Sequence, residues 1–146
     1  MGALYHFTCS HAAPHIDRAR ALVPQVSWRH LDSLLLERGE PMTGLWRAPA
    51  VVWLTDMRSP DRDALGLTSR TLKCDRTEFR YTVETDAAEP WLAFARRYDA
   101  SPEYLARLPG KPGRWFVMAG RVPVIEKLDR RSGSALSLGD AAQETK

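Results

Sequence analysis

The stretch LYHFT, residues 4–8, is the first strand-like run of the chain, and it places a histidine between two aromatic residues. Because side chains alternate along a β-strand, His6 and Thr8 are predicted to share one face, and Tyr5 and Phe7 the other. The aromatic face is expected to pack into a core. The opposite face then carries an imidazole and a hydroxyl, which indicates a polar site beside the first strand.

The composition is that of a folded protein. The chain has 146 residues, of which 44% are hydrophobic and 27% are charged, values that are ordinary for one globular domain. We predict a single domain over residues 1–129 and a flexible tail over residues 130–146, where the sequence is polar, small and aperiodic.

The sequence also predicts a compartment and excludes some classes of protein. No apolar run is long enough to span a membrane, and no secretory signal pattern is visible. Cys9 and Cys74 are too few for a disulfide framework, so we expect buried thiols in a reduced, cytoplasmic protein. The net charge of +3 comes from dispersed arginines, which indicates a solvated surface more than a nucleic-acid footprint.

Further strands and helices follow the first strand. Residues 50–56 (AVVWLTD) and 77–85 (TEFRYTVET) predict strands, and residues 114–120 and 122–129 predict two more, joined by a tight hairpin. Helices are predicted over residues 11–22, 28–40, 89–99 and 101–108. This order predicts an α+β fold, a mostly antiparallel sheet with short helices packed on it.

Several common sites lack their sequence patterns. His11 and His15 have the spacing of one helical face, but no glutamate lies between them and no second ligand cluster follows. We therefore predict no metal site. The chain has neither a phosphate-binding glycine loop nor the nucleophile elbow of serine hydrolases.

Polar residues remain on the predicted strands. His6 and Thr8 lie on the first strand, and Trp53 and Thr55 lie near the carboxyl end of the second. Glu126 is predicted to share a face with apolar neighbours on the last strand, where a carboxylate either reaches solvent or has a function.

The run LYHFT, a helix and then VVWLTD resemble the start of ADP-ribosyltransferase-fold proteins. This group includes toxin-like and DNA-targeting transferases and the RNA 2′-phosphotransferases. The resemblance covers about the first 56 residues. It implies NAD as the cofactor and a macromolecular acceptor, protein or nucleic acid. In the family, a histidine and a hydroxyl residue bind the adenosine side of NAD, an aromatic residue stacks on nicotinamide, and a later glutamate completes the site.

Carried over to this chain, the resemblance makes His6 and Thr8 the first motif. Trp53 or Thr55 takes the second motif, in which the family's tyrosine is absent. We choose Arg76 as the residue that would neutralise the pyrophosphate.

Two residues are candidates for the catalytic glutamate. Glu126 fits by its order on a late strand, and Glu78 fits by its neighbours in the run CDRTEFR. Each has a plainer interpretation, since Glu126 could be exposed on an edge strand and Glu78 could form a surface ion pair with Arg76.

Two functions follow, from different classes. The first is an NAD-dependent mono-ADP-ribosyltransferase-like protein that modifies a macromolecular acceptor. The alternative is a small non-enzymatic interaction module, phage- or host-encoded, that uses the same fold. RNA 2′-phosphotransfer is a third possibility, and it requires arginines and histidines that line one groove.

Overall fold

The computed structural model describes residues 2–69, 72 and 74–138. Among these, the chain alternates short strands with short helices, and its longest helix has 10 residues. None of the helices in the described part is both long and apolar enough to cross a membrane. The strands are β1 (Ala3–Thr8), β2 (Ala21–Leu22), β3 (Val52–Thr55), β4 (Phe79–Glu84), β5 (Glu89–Pro90), β6 (Trp115–Met118), β7 (Val122–Pro123), β8 (Glu126–Asp129) and β9 (Ala135–Ser137). The helices are α1 (Ala13–Ala19), α2 (Trp28–Glu37), α3 (Trp91–Arg97), α4 (Pro102–Arg107) and a 3₁₀ turn at Pro112–Arg114.

The strands form one large sheet and one small one. The large sheet has seven strands in the order β5-β6-β3-β1-β4-β8-β9, and β2 pairs with β7 separately. Every pairing between the described strands is antiparallel. The predicted α+β class with a mostly antiparallel sheet is therefore confirmed.

Two apolar clusters stabilise the sheet, one on each face. The first packs α2, α3 and α4 against β6, with Trp91 and Leu35 fully buried. The second packs α1 against β3 and β4, with Tyr81 and Val83 fully buried. The alternation of β4 explains this second cluster, because Phe79, Tyr81 and Val83 point to one side of the strand.

The first helix is shorter than predicted. It ends at Ala19 because Arg20 takes a left-handed conformation with φ of 52°, which stops the helical hydrogen-bond pattern. Ala21 and Leu22 then form β2. The apolar stripe of this segment is therefore shared between a helix and a strand.

The predicted hairpin between the two late strands is wrong. After β6, Val122–Pro123 pairs with β2, and only then does Glu126–Asp129 pair with β4. Buried Val122 and Val124 contribute to the second cluster. β6 is already paired on both sides, by β5 and by β3, so this stretch does not form a hairpin with it.

The segment predicted as a flexible tail begins with ordered structure. Gly133, with φ of 79°, lies in the turn that allows Ala135–Ser137 to pair with β8 as β9. Leu138 is buried in the second cluster. Residues 139–146 lie outside the described residues.

Candidate functional site

A cavity of about 190 Å³ lies where β1 and β3 meet. Its wall includes the four consecutive residues from Tyr5 to Thr8. Consecutive strand residues point to opposite faces of a sheet, so the cavity reaches both sides of β1 and lies in the gap beside that strand. The other lining residues are Ser27, His30, Leu31, Trp53, Leu54, Thr55, Leu65, Gly66, Leu67, Arg76 and Trp115.

The gap exists because β1 and β3 pair at one register position, Tyr5 with Thr55. β1 pairs with its other neighbour, β4, along its whole length. Beyond the Tyr5 position, the ring of His6 reaches β3 and lies 2.8 Å, through Nδ1, from the main-chain oxygen of Trp53. The His6 side chain thus takes the place of a main-chain N–H of β1 as the partner of the Trp53 carbonyl. The two strands separate at this point, which opens the gap between β1 and β3.

The His6 imidazole is held neutral with a defined tautomer. Burial lowers its pKa most, the hydrogen bond to Trp53 opposes this, and the charge of Arg76 lowers it further. Because a carbonyl oxygen only accepts, Nδ1 carries the proton and Nε2 keeps a lone pair. Nε2 has no hydrogen-bond partner within the described part of the chain, so it is free to accept from a ligand hydroxyl.

A second histidine lines the same cavity. His30 on α2 donates through Nε2 to the main-chain oxygen of Gly66. Burial is the main cause that lowers its pKa, and Arg76 contributes in the same direction. The site therefore holds two neutral imidazoles. His30 was not among the predicted site residues, although its position four residues before Leu34 places it on the apolar face of α2.

Trp53 forms an aromatic wall of the cavity. Its indole N–H donates to Ser27 Oγ, and its ring centroid lies 4.5 Å from that of Trp91 and 5.8 Å from that of Trp115. These contacts fix the ring in one orientation. A fixed indole face in a cavity favours a planar or cationic ligand group.

Arg76 supplies positive charge to the cavity. It lines the cavity together with His6 and His30, and its charge contributes to lowering the pKa of both rings. Its Nε is buried without a hydrogen-bond partner, and no carboxylate among the described residues pairs with it. A guanidinium that no described carboxylate neutralises favours an anionic ligand group, such as a phosphate, in the adjacent cavity.

The two threonines differ in what their hydroxyls can offer. Thr55 donates to the main-chain oxygen of Arg114 at 2.9 Å and accepts from Met57 N at 3.2 Å, so its proton is already used. Thr8 is buried and has no side-chain partner in the described ranges. Thr8 is therefore the hydroxyl that remains available to a ligand.

Neither predicted catalytic glutamate lines the cavity. Glu126 on β8 pairs with buried Arg80 at 3.5 Å and accepts from Thr82 at 3.2 Å. β8 lies between β4 and β9, so Glu126 is not on an edge strand, although its side chain is 39% exposed.

Glu78 also contacts residues outside the cavity. It accepts from the main-chain N–H of Ser10 at 3.3 Å and pairs with Arg131 at 3.2 Å. The surface ion pair between Glu78 and Arg76 is not formed. The structure thus gathers all five predicted cofactor-binding residues in one cavity and places both glutamates elsewhere.

Comparisons of the chain with protein-family models, with curated proteins and with solved structures found no match.

Proposed function

We propose that the cavity binds NAD and that the protein is an NAD-dependent mono-ADP-ribosyltransferase-like protein acting on a macromolecular acceptor. One observation carries the proposal. The five residues assigned to NAD from the sequence resemblance, His6, Thr8, Trp53, Thr55 and Arg76, all line one cavity, although they come from three separate parts of the chain.

The chemistry of the lining fits two parts of NAD. The indole face of Trp53 suits the nicotinamide ring, which is planar and positively charged in NAD. Arg76 suits the pyrophosphate. Sites that enclose a whole drug-sized ligand measure about 300–1,000 Å³, and this cavity is smaller, at about 190 Å³. We therefore place the nicotinamide end inside and the adenosine end across the opening.

The chain's own side chains orient the nicotinamide ribose, which lies between the nicotinamide ring and the pyrophosphate. This placement differs from that in the family, where the histidine and the hydroxyl bind the adenosine side of NAD. His6 accepts a ribose hydroxyl through Nε2, and the Thr8 hydroxyl contributes a second hydrogen bond, each worth on the order of 1 kcal/mol net. Bound NAD supplies the ADP-ribosyl group, and nicotinamide is the leaving group. Trp53 and Trp115 exclude water from the nicotinamide end.

A second candidate function rests on the absence of a carboxylate from the described cavity lining. A nearby negative charge would stabilise the positive charge that develops on the ribose as nicotinamide leaves. Without one, the protein would bind NAD and act as an interaction module, without transfer. RNA 2′-phosphotransfer gains some support from His6, His30 and Arg76 around one cavity.

Product analysis after incubation with NAD separates these functions. For the transferase, we expect free nicotinamide to accumulate when a lysate supplies acceptors, and radiolabel from the adenylate of NAD to appear on protein or nucleic acid. NAD binding without nicotinamide release supports the interaction module. No NAD binding contradicts both NAD-based functions.

A further inference from the structure

Three side chains with metal-binding atoms meet beside the cavity. Cys9 Sγ, His11 Nδ1 and Cys74 Sγ all lie within 4.8 Å of one another, and Cys9 Sγ is 3.8 Å from His11 Nδ1. Cys9 is buried, Cys74 half-buried and His11 exposed. The cluster is therefore reachable from solvent through the histidine.

The separation between Cys9 Sγ and His11 Nδ1 is close to the ligand spacing of a tetrahedral zinc ion. Zn–S bonds of about 2.3 Å and Zn–N bonds of about 2.0–2.1 Å place a sulfur and a nitrogen ligand about 3.6 Å apart, and two sulfurs about 3.8 Å apart. The separation between Cys9 Sγ and His11 Nδ1 is 3.8 Å, and Cys74 Sγ lies within 4.8 Å of both atoms. A shift of about 1 Å or less would bring all three atoms to the ion.

We propose that Cys9, His11 and Cys74 bind a zinc ion. The protein supplies three ligands, and a solvent molecule at the exposed side supplies the fourth. Two thiolates and one imidazole favour zinc over magnesium or calcium, which take oxygen ligands. Two thiolates also balance the charge of the ion, so the nearby Arg76 guanidinium does not oppose its binding.

Metal binding requires both cysteines as thiolates, so the ion would displace the protons of Cys9 and Cys74 as it binds.

The position of the cluster gives the ion a structural role. Cys9 directly follows Thr8, and Cys74 lies two residues before Arg76, so each cysteine is within two residues of a cavity residue. A bound ion would join the end of β1 to the segment that carries Arg76. We therefore expect zinc to hold the arginine side of the cavity in place.

The test measures metal on the reduced full chain. We expect one zinc per chain after loading and desalting, by elemental analysis, and cobalt loading should give thiolate-to-cobalt charge-transfer absorption with tetrahedral d–d bands. His11→Ala should weaken zinc binding at least about tenfold. The matched control is His15→Ala, since His15 is also exposed and contacts Arg18 instead of the cysteines.

Cys74→Ser is the second variant, and it should abolish the charge-transfer band or halve its intensity. Reduced wild type that holds no zinc would overturn the proposal. Equal zinc affinity in His11→Ala and His15→Ala would overturn it too. So would a wild-type protein that forms a Cys9–Cys74 disulfide and, after reduction, does not retain added zinc. None of these readouts involves NAD, so this inference and the proposed function fail separately.

Discussion

The imidazole Nδ1 of His6 lies 2.8 Å from the main-chain oxygen of Trp53, and this contact bridges the two strands that border the cavity. It satisfies a carbonyl that would otherwise face an open gap in the sheet. It also fixes the tautomer, so that Nε2 is left with a lone pair for a ligand. One hydrogen bond therefore serves both the fold and the candidate site.

Replacing His6 should separate these two roles. His6→Ala should weaken NAD binding by about tenfold or more, because the hydrogen bond to ribose and the ring that borders the cavity are both lost. The free energy of unfolding should fall by about 1–3 kcal/mol, since the Trp53 carbonyl loses its partner. Calorimetric titration with NAD and urea denaturation measure the two effects. His15→Ala is the control. Unchanged NAD affinity in folded His6→Ala would remove His6 from the site.

Arg76 should act on the phosphates alone. Arg76→Gln should weaken NAD binding on the order of 10- to 100-fold, because a charged hydrogen-bonding group is lost. Its affinity for nicotinamide riboside, which has no pyrophosphate, should stay unchanged. Arg76→Lys should fall between wild type and Arg76→Gln, since it keeps the charge without the planar fork. Exposed Arg96 on α3 gives the control variant, Arg96→Gln. Equal losses for NAD and for nicotinamide riboside would contradict a phosphate-binding role.

The two cavity histidines should make stability depend on pH. The pKa values of His6 and His30 lie below the ordinary 6.5 in the folded protein, mainly because of burial. As the pH falls through and below about 6.5, the unfolded chain takes up protons that the folded protein does not bind. The free energy of unfolding should therefore decrease in this range and level off below the folded pKa values.

Denaturation curves at a series of pH values test this dependence. The double variant His6→Ala/His30→Ala should lose most of the slope below about pH 6.5, whatever its absolute stability. A slope equal to that of wild type would mean that other groups cause the pH dependence. NAD should oppose the decrease, because it binds only to the folded protein.

A buried tyrosine supplies a prediction independent of the cavity. Tyr81 has 0% exposure, and its hydroxyl donates to Asp17 Oδ1 at 2.7 Å. Burial is the main cause that raises its pKa, and Asp17 adds to it. Tyr81→Phe should lower the free energy of unfolding by about 1.5–3 kcal/mol, the usual range for a hydrogen bond to a charged group. NAD affinity should not change. A loss of unfolding free energy below about 0.5 kcal/mol would contradict a stabilising hydrogen bond between Tyr81 and Asp17. Lys127, which contacts Asp17 at 2.7 Å, would then satisfy the carboxylate alone.

The sequence was sufficient to predict the fold class and most strands, because alternation in residues 77–85 and the β-branched run at 50–56 report burial directly. It was not sufficient to predict the pairing of Val122–Pro123 with β2. That pairing depends on the burial of Val122 in a cluster built from distant elements, which no local pattern reports.

The residues of the candidate site also differ in whether the sequence could predict them. His6 stands out locally because histidine is not a favoured strand residue, and alternation places Thr8 on the same face. The cluster of Cys9, His11 and Cys74 could not be foreseen, because the distant cysteine approaches only when β1 and β4 pair. Glu126 was chosen by its order along the chain and Glu78 by its neighbours in the sequence. Neither criterion determines which residues face the gap between β1 and β3.

A crystal structure of the protein grown with saturating NAD tests the central claim most directly. We predict density for nicotinamide against the indole of Trp53, a ribose hydroxyl within hydrogen-bond distance of His6 Nε2, and the pyrophosphate on Arg76. An empty cavity would contradict the claim, and so would a nucleotide bound elsewhere, for example beside Arg80 and Glu126.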